Sequence, residues 1–469
     1  MVKKKYNILK AASWYTIGNI LINGVGFFVL PIFTKLMSTH EYGIYSVYSS
    51  YLNIFSTIIM FGLSSTIAIA KYAKEVEFET YFSSVLLTPL TLTGVGVVII
   101  NGCIWRFGDI LSMDVRLWNC LLISAMCAAV CGIIGARLVL EGRYTLYMAY
   151  SGIHTIGNIA LSLLLCYTVY RTENIHLARV YGSTVATFIS AVFLVLATKI
   201  RIRISKNCMK YSLIWGLPLL FHTLATVILM QSDRILIRYM DSYSSAGIYA
   251  VATTIVAIPM VLQQSFNQAW TPWFYGRLDA KDYKQIRWLN DRYIVFYGVI
   301  IAGFMILGPD VIRFFTEKSY WPCIFSLVPL AISVFAEMIY SIPVCVEYYN
   351  RKTTYIMTAT LITVVINIVL DVLFIKMFGY HGAAYATALS KIILFLIHLH
   401  FARKFDMNAM FSGKVVVLCI SALAILNIVI ITTMDLIFIR YIILATMMIL
   451  TGWYAIINKE AILSKLREK

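Results

Sequence analysis

Long apolar runs, separated by short polar segments, occupy most of the sequence between residues 12 and 457. A helix that crosses a bilayer needs about 20 largely apolar residues, because the hydrocarbon core is roughly 30 Å thick. Inside that core the backbone must be hydrogen-bonded within the protein, which favours helices. The sequence therefore predicts an all-α integral membrane protein with about 14 transmembrane helices. The runs cover residues 12–36, 43–68, 82–104, 117–138, 147–170, 180–199, 212–237, 247–274, 292–308, 323–347, 355–376, 381–401, 415–434 and 439–457.

The composition is typical of a membrane protein. Hydrophobic residues make up 60% and charged residues 13% of the 469 positions, against about 45–50% and about 25% in soluble domains. The nine cysteines have no paired spacing, so the sequence predicts no disulfide framework. Cys127 and Cys131 are interpreted as small packing residues on one helix face rather than as metal ligands.

The net charge of +17 would suggest a nucleic-acid partner if the chain were soluble. Here most lysines and arginines fall in the loops that a cytoplasmic start places inside the cell, in agreement with the positive-inside rule. Lys3, Lys4, Lys5 and Lys10 precede the first run, which we interpret as a retained helix rather than a cleaved signal peptide. We therefore expect both termini to be cytoplasmic, and we expect no nucleic-acid partner.

A short motif occurs twice and indicates an internal repeat. Gly43-Ile44-Tyr45 recurs 204 residues later as Gly247-Ile248-Tyr249, and Asn158 in run five has a counterpart, Asn367, in run eleven. An even number of runs separates the copies, so the two halves should share one orientation in the membrane, as in transporters built from parallel repeats. The predicted organisation is one six-helix bundle over residues 1–205, a second over 206–405, and two further helices with a cytoplasmic tail over 406–469.

Four segments of the sequence carry a resemblance to a known family. They are Pro31-Ile-Phe-Thr-Lys35-Leu-Met-Ser with Glu41-Tyr-Gly43-Ile-Tyr45, Asp233-Arg234 with Gly247-Ile-Tyr249-Ala, Gln268-Ala-Trp270-Thr-Pro272-Trp-Phe274, and Gly379-Tyr-His-Gly382-Ala-Ala-Tyr-Ala-Thr387. In this order they resemble segments of the Wzx-type polysaccharide repeat-unit flippases. That family belongs to the MOP superfamily, together with the lipid II flippases and the MATE drug exporters. The resemblance covers roughly residues 10 to 400.

This resemblance implies a two-bundle transporter that works by alternating access. Its cargo would be an undecaprenyl-pyrophosphate-linked oligosaccharide repeat unit, moved from the inner to the outer leaflet of a bacterial cytoplasmic membrane for O-antigen, capsule or exopolysaccharide biosynthesis. The resemblance implies no enzymatic activity and no cofactor, with energy from a proton or sodium gradient or from the membrane potential. The implied partners are the lipid-linked oligosaccharide, membrane lipids, a polysaccharide polymerase and glycosyltransferases.

Few ionisable residues lie inside the runs, and each is a functional candidate because a charge at the bilayer centre costs about 2.5–3.5 kcal/mol. Glu337 and Lys391 lie near the middle of runs ten and twelve, and either face the cargo or form a buried structural pair. Lys35 and Arg234 lie at the ends of runs one and seven, and either meet the pyrophosphate or are interfacial anchors. These four residues are the candidate cargo-binding residues.

The gating candidates lie at the ends of spans. Lys71, Arg137 and Glu141 lie where runs two and four reach the predicted inner face, and they either form an inner gate or only anchor the helices. Asp233 is the gating candidate at the outer end of run seven. Asp371, near the outer end of run eleven, is expected to be a structural cap or an interface residue.

Two other functions stay open. An ion-coupled multidrug exporter of the MATE type needs buried carboxylates, and the central parts of runs one to six and the whole of run eight contain none. The second open function is a membrane scaffold for polysaccharide assembly that transports nothing.

His154 and His222 are expected to be hydrogen-bonded core residues rather than proton relays. The sequence contains no Walker loop, metal-binding cluster or catalytic triad, which argues against an ATP-driven pump and a glycosyltransferase.

Overall fold

The computed structural model describes residues 26–73, 75–107, 113–170, 173–200, 203–405 and 407–457. Over these ranges the chain is helical and contains no β-strand. The first part of run one, Lys74 and both basic termini lie outside the described residues. The predicted cytoplasmic location of the termini therefore stays a prediction.

Thirteen helices within the described ranges are long and apolar enough to cross a membrane, by length and composition. Each overlaps one of runs two to fourteen, so these predicted spans and the all-α fold are confirmed. A shorter apolar helix is the described part of run one. In chain order the helices are α1 Gly26–Leu36, α2 Thr39–Tyr72, α3 Phe78–Arg106, α4 Val115–Leu140, α5 Tyr144–Thr168, α6 Ile175–Thr198, α7 Lys206–Met240, α8 Tyr243–Asp279, α9 Tyr283–Phe315, α10 Lys318–Tyr349, α11 Thr353–Phe378, α12 His381–Phe405, α13 Gly413–Thr432 and α14 Ile437–Tyr454.

Helix α2 begins within the first of the four segments that carry the family resemblance, and a capping box defines its start. The Ser38 hydroxyl accepts a hydrogen bond from the backbone N–H of Glu41 at 3.2 Å, and the Glu41 carboxylate accepts one from the backbone N–H of Ser38 at 3.4 Å. This capping box satisfies two backbone donors that a helix start leaves unpaired. Glu41 also accepts a hydrogen bond from the backbone N–H of Ile175 at 2.7 Å, where α6 begins. One carboxylate therefore caps two helices.

The described residues pack into two compact units. The first contains residues up to Thr254 together with Met357–Ala383, and one of its buried clusters includes Leu63, Tyr81 and Ile133. The second contains Ile255–Ile356 and the residues from Ala384 onward, and in it α9 packs against α10 through fully buried apolar side chains. The bundle boundaries inferred from the sequence repeat stay a prediction.

The repeated glycines bring two helix starts together within the first unit. A Cβ atom at Gly43 would lie 1.7 Å from the carbonyl oxygen of Tyr243, and one at Gly247 would lie 2.2 Å from that of Thr39. Both distances are far below van der Waals contact, so only residues without a side chain allow the backbones this close. The two copies of the repeat motif thus meet where α2 crosses α8.

The α2 helix is broken at Phe61 and Gly62, which have φ angles of 52° and 68°. Such positive φ angles favour glycine and are uncommon for a phenylalanine. A Cβ atom at Gly62 would lie 2.6 Å from the carbonyl oxygen of Gly216, so the break is packed against α7. The sequence runs did not predict this interruption.

Candidate functional site

A cavity of about 520 Å³ lies inside the first unit, between α2, α4, α5, α6 and α7. It follows one face of α2 from Tyr45 to Met60, and all five helices are membrane-span candidates. Its wall combines polar and apolar side chains. The lining residues are Tyr45, Tyr48, Ser49, Leu52, Asn53, Ser56, Thr57, Met60, Ser124, Ala128, His154, Asn158, Ser183, Thr187, Val227, Met230 and Gln231.

The cavity wall offers hydrogen-bond donors and acceptors without a permanent charge. No lining residue is Asp, Glu, Lys or Arg. The His154 Nε2 atom lies 3.3 Å from the Thr187 hydroxyl, and the Ser124 hydroxyl donates to that of Thr184 at 2.9 Å. The Asn158 Oδ1 atom is buried and has no hydrogen-bond partner among the described residues. Such a wall can exchange hydrogen bonds with a polar, uncharged ligand.

A pair of buried carboxyl groups lies elsewhere in the first unit. Asp371 on α11 is fully buried and interacts with Asp233 on α7, which is also buried. The Tyr249 hydroxyl donates a hydrogen bond to Asp233. Two carboxylates in contact away from water repel each other unless a positive charge compensates them. The pair is therefore suited to hold a proton or a cation.

This pair corrects two expectations. Asp371 is a buried partner of Asp233, not a cap or an interface residue, because α11 turns this side chain into the first unit. The central parts of runs one to six and the whole of run eight contain no carboxylate. Asp233 in run seven, however, places a carboxyl group in a buried position. The lack of carboxylates in those spans therefore does not exclude ion coupling. Neighbouring Arg234 donates to the Thr253 hydroxyl at 2.6 Å.

The two charges predicted inside spans ten and twelve form a pair in the second unit. The Lys391 Nζ atom lies 3.2 Å from Glu337 Oε2, and 12% and 25% of the two side chains are exposed. The pair is neutral on balance, and its partial exposure leaves room for contact with a ligand. Sequence reasoning missed a second pair on the same helices, in which His398 Nδ1 lies 2.8 Å from Glu347 Oε2 and both residues are fully buried.

The inner gating candidates cluster around one arginine. Arg137 contacts Glu141 at 2.6 Å and Glu79 at 2.6 Å, and its guanidinium lies over the Phe82 ring at 4.4 Å. Lys71 lies 5.8 Å from the centre of another ring of this cluster, that of Phe78. The structure thus brings Lys71, Arg137 and Glu141 together. Sequence reasoning missed Glu79, because nothing in the surrounding sequence distinguishes it from other polar residues near the end of a span.

The remaining basic candidate, Lys35, is exposed at the end of α1. A further arginine was not predicted. The Arg179 guanidinium on α6 lies 4.0 Å from the centre of the Phe33 ring and 5.1 Å from that of Tyr45, which lines the cavity. Arg179 itself is not a lining residue. The signal that could have identified it was its position directly before run six.

Comparison with known proteins identifies the family. The family described as "Polysaccharide biosynthesis protein" matches residues 8–276, more than half of the chain. The chain belongs to this family. Three of the four segments that carried the resemblance lie within the matched range, as do all the residues that line the cavity. The membership inferred from those segments is confirmed.

Relatives of this polysaccharide biosynthesis protein extend the comparison. The "Lsg locus putative protein 1" of Haemophilus influenzae is 23% identical over 278 residues, which cover 58% of this chain and 67% of the relative. The "Probable flippase AglR" of Haloferax volcanii is 26% identical over 277 residues, covering 55% of this chain and 56% of the relative. The solved structure "Lipid II flippase MurJ, inward closed conformation" has a TM-score of 0.72 at 18% identity and covers 96% of this chain and 99% of its own. The chain therefore has the fold of that flippase.

Proposed function

We propose that this protein flips undecaprenyl-pyrophosphate-linked oligosaccharide repeat units from the inner to the outer leaflet by alternating access. The observation that carries the proposal is the cavity of about 520 Å³ inside membrane spans, whose wall places hydroxyl, amide and phenol groups among apolar side chains. An ionisable side chain inside a membrane span, such as that of His154 in this wall, faces the protein interior or a water-filled cavity and marks a possible substrate path. Hydrogen bonds from the wall would replace those that sugar hydroxyls lose on leaving water. Membership of the polysaccharide biosynthesis family supports the same proposal.

The pyrophosphate of this cargo needs positive groups along its path. We assign this role to Lys35, Arg234 and Lys391, with Lys71 and Arg137 at the inner end. An inside-negative potential favours outward movement of a negative charge by about 2.3 kcal/mol per 100 mV. The protein then has to offset the cost of removing the phosphates from water, for which cations and hydrogen-bond donors are suited.

The carboxyl pair of Asp233 and Asp371 would couple the cycle to an ion gradient. A proton or sodium ion entering between the two groups removes their repulsion, and its release restores it. Ion binding therefore stabilises a conformation in which the two carboxyl groups are close, relative to one in which they are apart. This role requires no bound cofactor and no catalysis.

In this proposal the protein is a secondary transporter of the bacterial cytoplasmic membrane with both termini inside. Glycosyltransferases would build the cargo before transport, and a polysaccharide polymerase would use it afterwards. The chain would contact the lipid-linked oligosaccharide and membrane lipids directly.

The test is outer-leaflet appearance of a labelled undecaprenyl-pyrophosphate-linked oligosaccharide in vesicles that contain the purified protein. We expect the label to become accessible faster than in protein-free vesicles, and more slowly after the membrane potential is collapsed. Equal rates with and without protein would contradict the proposal and favour a scaffold that transports nothing.

A second candidate function, an ion-coupled exporter of cationic drugs, is favoured by the buried Asp233 and Asp371 pair. Expression in a strain without its own drug exporters separates the two functions. Raised drug resistance without restored polysaccharide export would favour the exporter. Restored export in a strain that lacks its repeat-unit flippase, without drug resistance, would favour the flippase.

A further inference from the structure

The wall of the cavity in the first unit indicates which chemical class of sugar it accepts. We propose that this cavity is the binding site for the uncharged sugar residues of the cargo, and that it disfavours sugars with a carboxylate or an ammonium group. The inference rests on the proposed function for its cargo and adds the class of sugar to it.

The wall of the cavity carries no permanent charge. An ionised group placed away from water is strongly unfavourable unless an opposite charge meets it. The lining residues include no Asp, Glu, Lys or Arg, so a charged sugar would find no permanent counter-charge in the wall. A neutral sugar carries only hydroxyl, ether and amide groups, which the wall can pair. Selection by charge therefore follows from the composition of the lining residues.

The cavity also has the length of a short sugar chain. It follows α2 from Tyr45 to Met60, and a rise of about 1.5 Å per residue makes this distance roughly 22 Å. Its volume of about 520 Å³ lies within the range of about 300–1,000 Å³ usual for ligand sites. The rings of Tyr45 and Tyr48 offer apolar faces, and Leu52 and Met60 add apolar surface for the C–H faces of sugar rings.

Two polar rows face the cavity from neighbouring helices. His154 and Asn158 lie four residues apart on α5, and Ser183 and Thr187 lie four residues apart on α6, so each pair shares a helix face. The two helices are packed together, and His154 contacts Thr187 across them. Asn158 Oδ1 has no partner among the described residues. A buried acceptor of this kind is expected to bind a ligand hydroxyl.

The binding experiment uses the purified full chain in lipid nanodiscs and saturation-transfer NMR with free disaccharides. The probes are maltose, which is uncharged, and a disaccharide of the same size that contains one uronic acid. We expect saturation transfer to maltose and much weaker transfer to the acidic probe. Thr187→Val, which keeps the side-chain shape, and Asn158→Leu should each weaken maltose binding about fivefold, as expected for one lost hydrogen bond. Thr168→Val on the same helix as Asn158 is the matched control and should change nothing, because Thr168 is not a lining residue.

Four outcomes decide the inference. Equal transfer to both probes, or wild-type maltose binding in both cavity variants, would overturn it. In vesicles, a lipid-linked oligosaccharide of neutral sugars should be flipped faster than one containing a uronic acid, and the reverse order would also overturn it. If neither cargo is flipped while maltose binds and both cavity variants weaken that binding, the proposed function fails and the neutral-sugar site stands.

Discussion

Replacing Gly43 by alanine should destabilise the protein more than the same change at a helical glycine with free space. The added Cβ would lie 1.7 Å from the carbonyl oxygen of Tyr243 and 2.5 Å from its carbonyl carbon. Carbon and oxygen atoms come no closer than about 3.3 Å without repulsion. The α2 and α8 backbones would therefore have to separate by more than 1 Å, roughly the deficit between these distances.

The magnitude follows from a matched control. Gly94 also lies within a helix, but a Cβ there would meet nothing within 4 Å. Both substitutions gain the same helix propensity, up to about 1 kcal/mol, so this contribution cancels in the comparison. The difference is the cost of overpacking, which is typically about 1–3 kcal/mol. We expect the upper end, because the atoms in the way belong to a backbone that cannot rotate aside.

The assay is thermal unfolding of the detergent-solubilised variants, monitored by size-exclusion chromatography. A difference of this size corresponds to a Tm several degrees lower for Gly43→Ala than for Gly94→Ala, at about 2–4 °C per kcal/mol in large domains. Gly247→Ala added to Gly43→Ala should cost little more, because both side chains enter the same crossing and their effects do not add. Equal Tm values for Gly43→Ala and Gly94→Ala would refute the reasoning.

Three further predictions concern the charged pairs. Lys391→Ala should lower polysaccharide export at normal membrane abundance, and full recovery of export in the double variant Lys391→Met with Glu337→Gln would show that the pair only packs. Asp371→Asn should leave the protein folded but make flipping in vesicles independent of an imposed ion gradient; an unchanged response to the gradient would exclude the carboxyl pair from coupling. Arg440→Met should lower the abundance of the protein in the membrane, because it leaves Asp310 unpaired at a cost of roughly 3 kcal/mol. The further change Asp310→Asn should recover part of this loss. Both abundances are measured by immunoblot of membranes.

Hydropathy was enough to predict the spans but not their full extent. Run nine was predicted over residues 292–308, yet α9 extends from Tyr283 to Phe315. Polar residues such as Arg287 and Asp291 end an apolar run, but they form an ion pair at 3.8 Å one helical turn apart and allow the helix to continue. The break in α2 was missed because one glycine inside an apolar run has no distinct signature.

The candidate site was predictable only where a charge stood out against its surroundings. Glu337 and Lys391 could be selected because each is a lone charge in the middle of an apolar run. The cavity could not be found in this way, because its wall is assembled from five helices by residues such as Ser183 and Thr187 that are ordinary in membrane spans. The contact between Asp233 and Asp371 depends on how α7 and α11 pack, which neither local sequence specifies.

The last helix carries a constraint on how the protein enters the membrane. Arg440 on α14 is fully buried, and its two terminal nitrogens contact Asp310 on α9 at 2.9 and 2.8 Å, across 130 residues of sequence. Much of the rest of α14 presents large exposed apolar side chains, such as Phe438 and Ile449. An arginine in an otherwise apolar helix opposes partition into lipid. The acceptor on α9 is synthesised before α14, so its carboxylate is already part of the chain when Arg440 is made, and the ion pair adds to the hydrophobicity that makes α14 a membrane-span candidate.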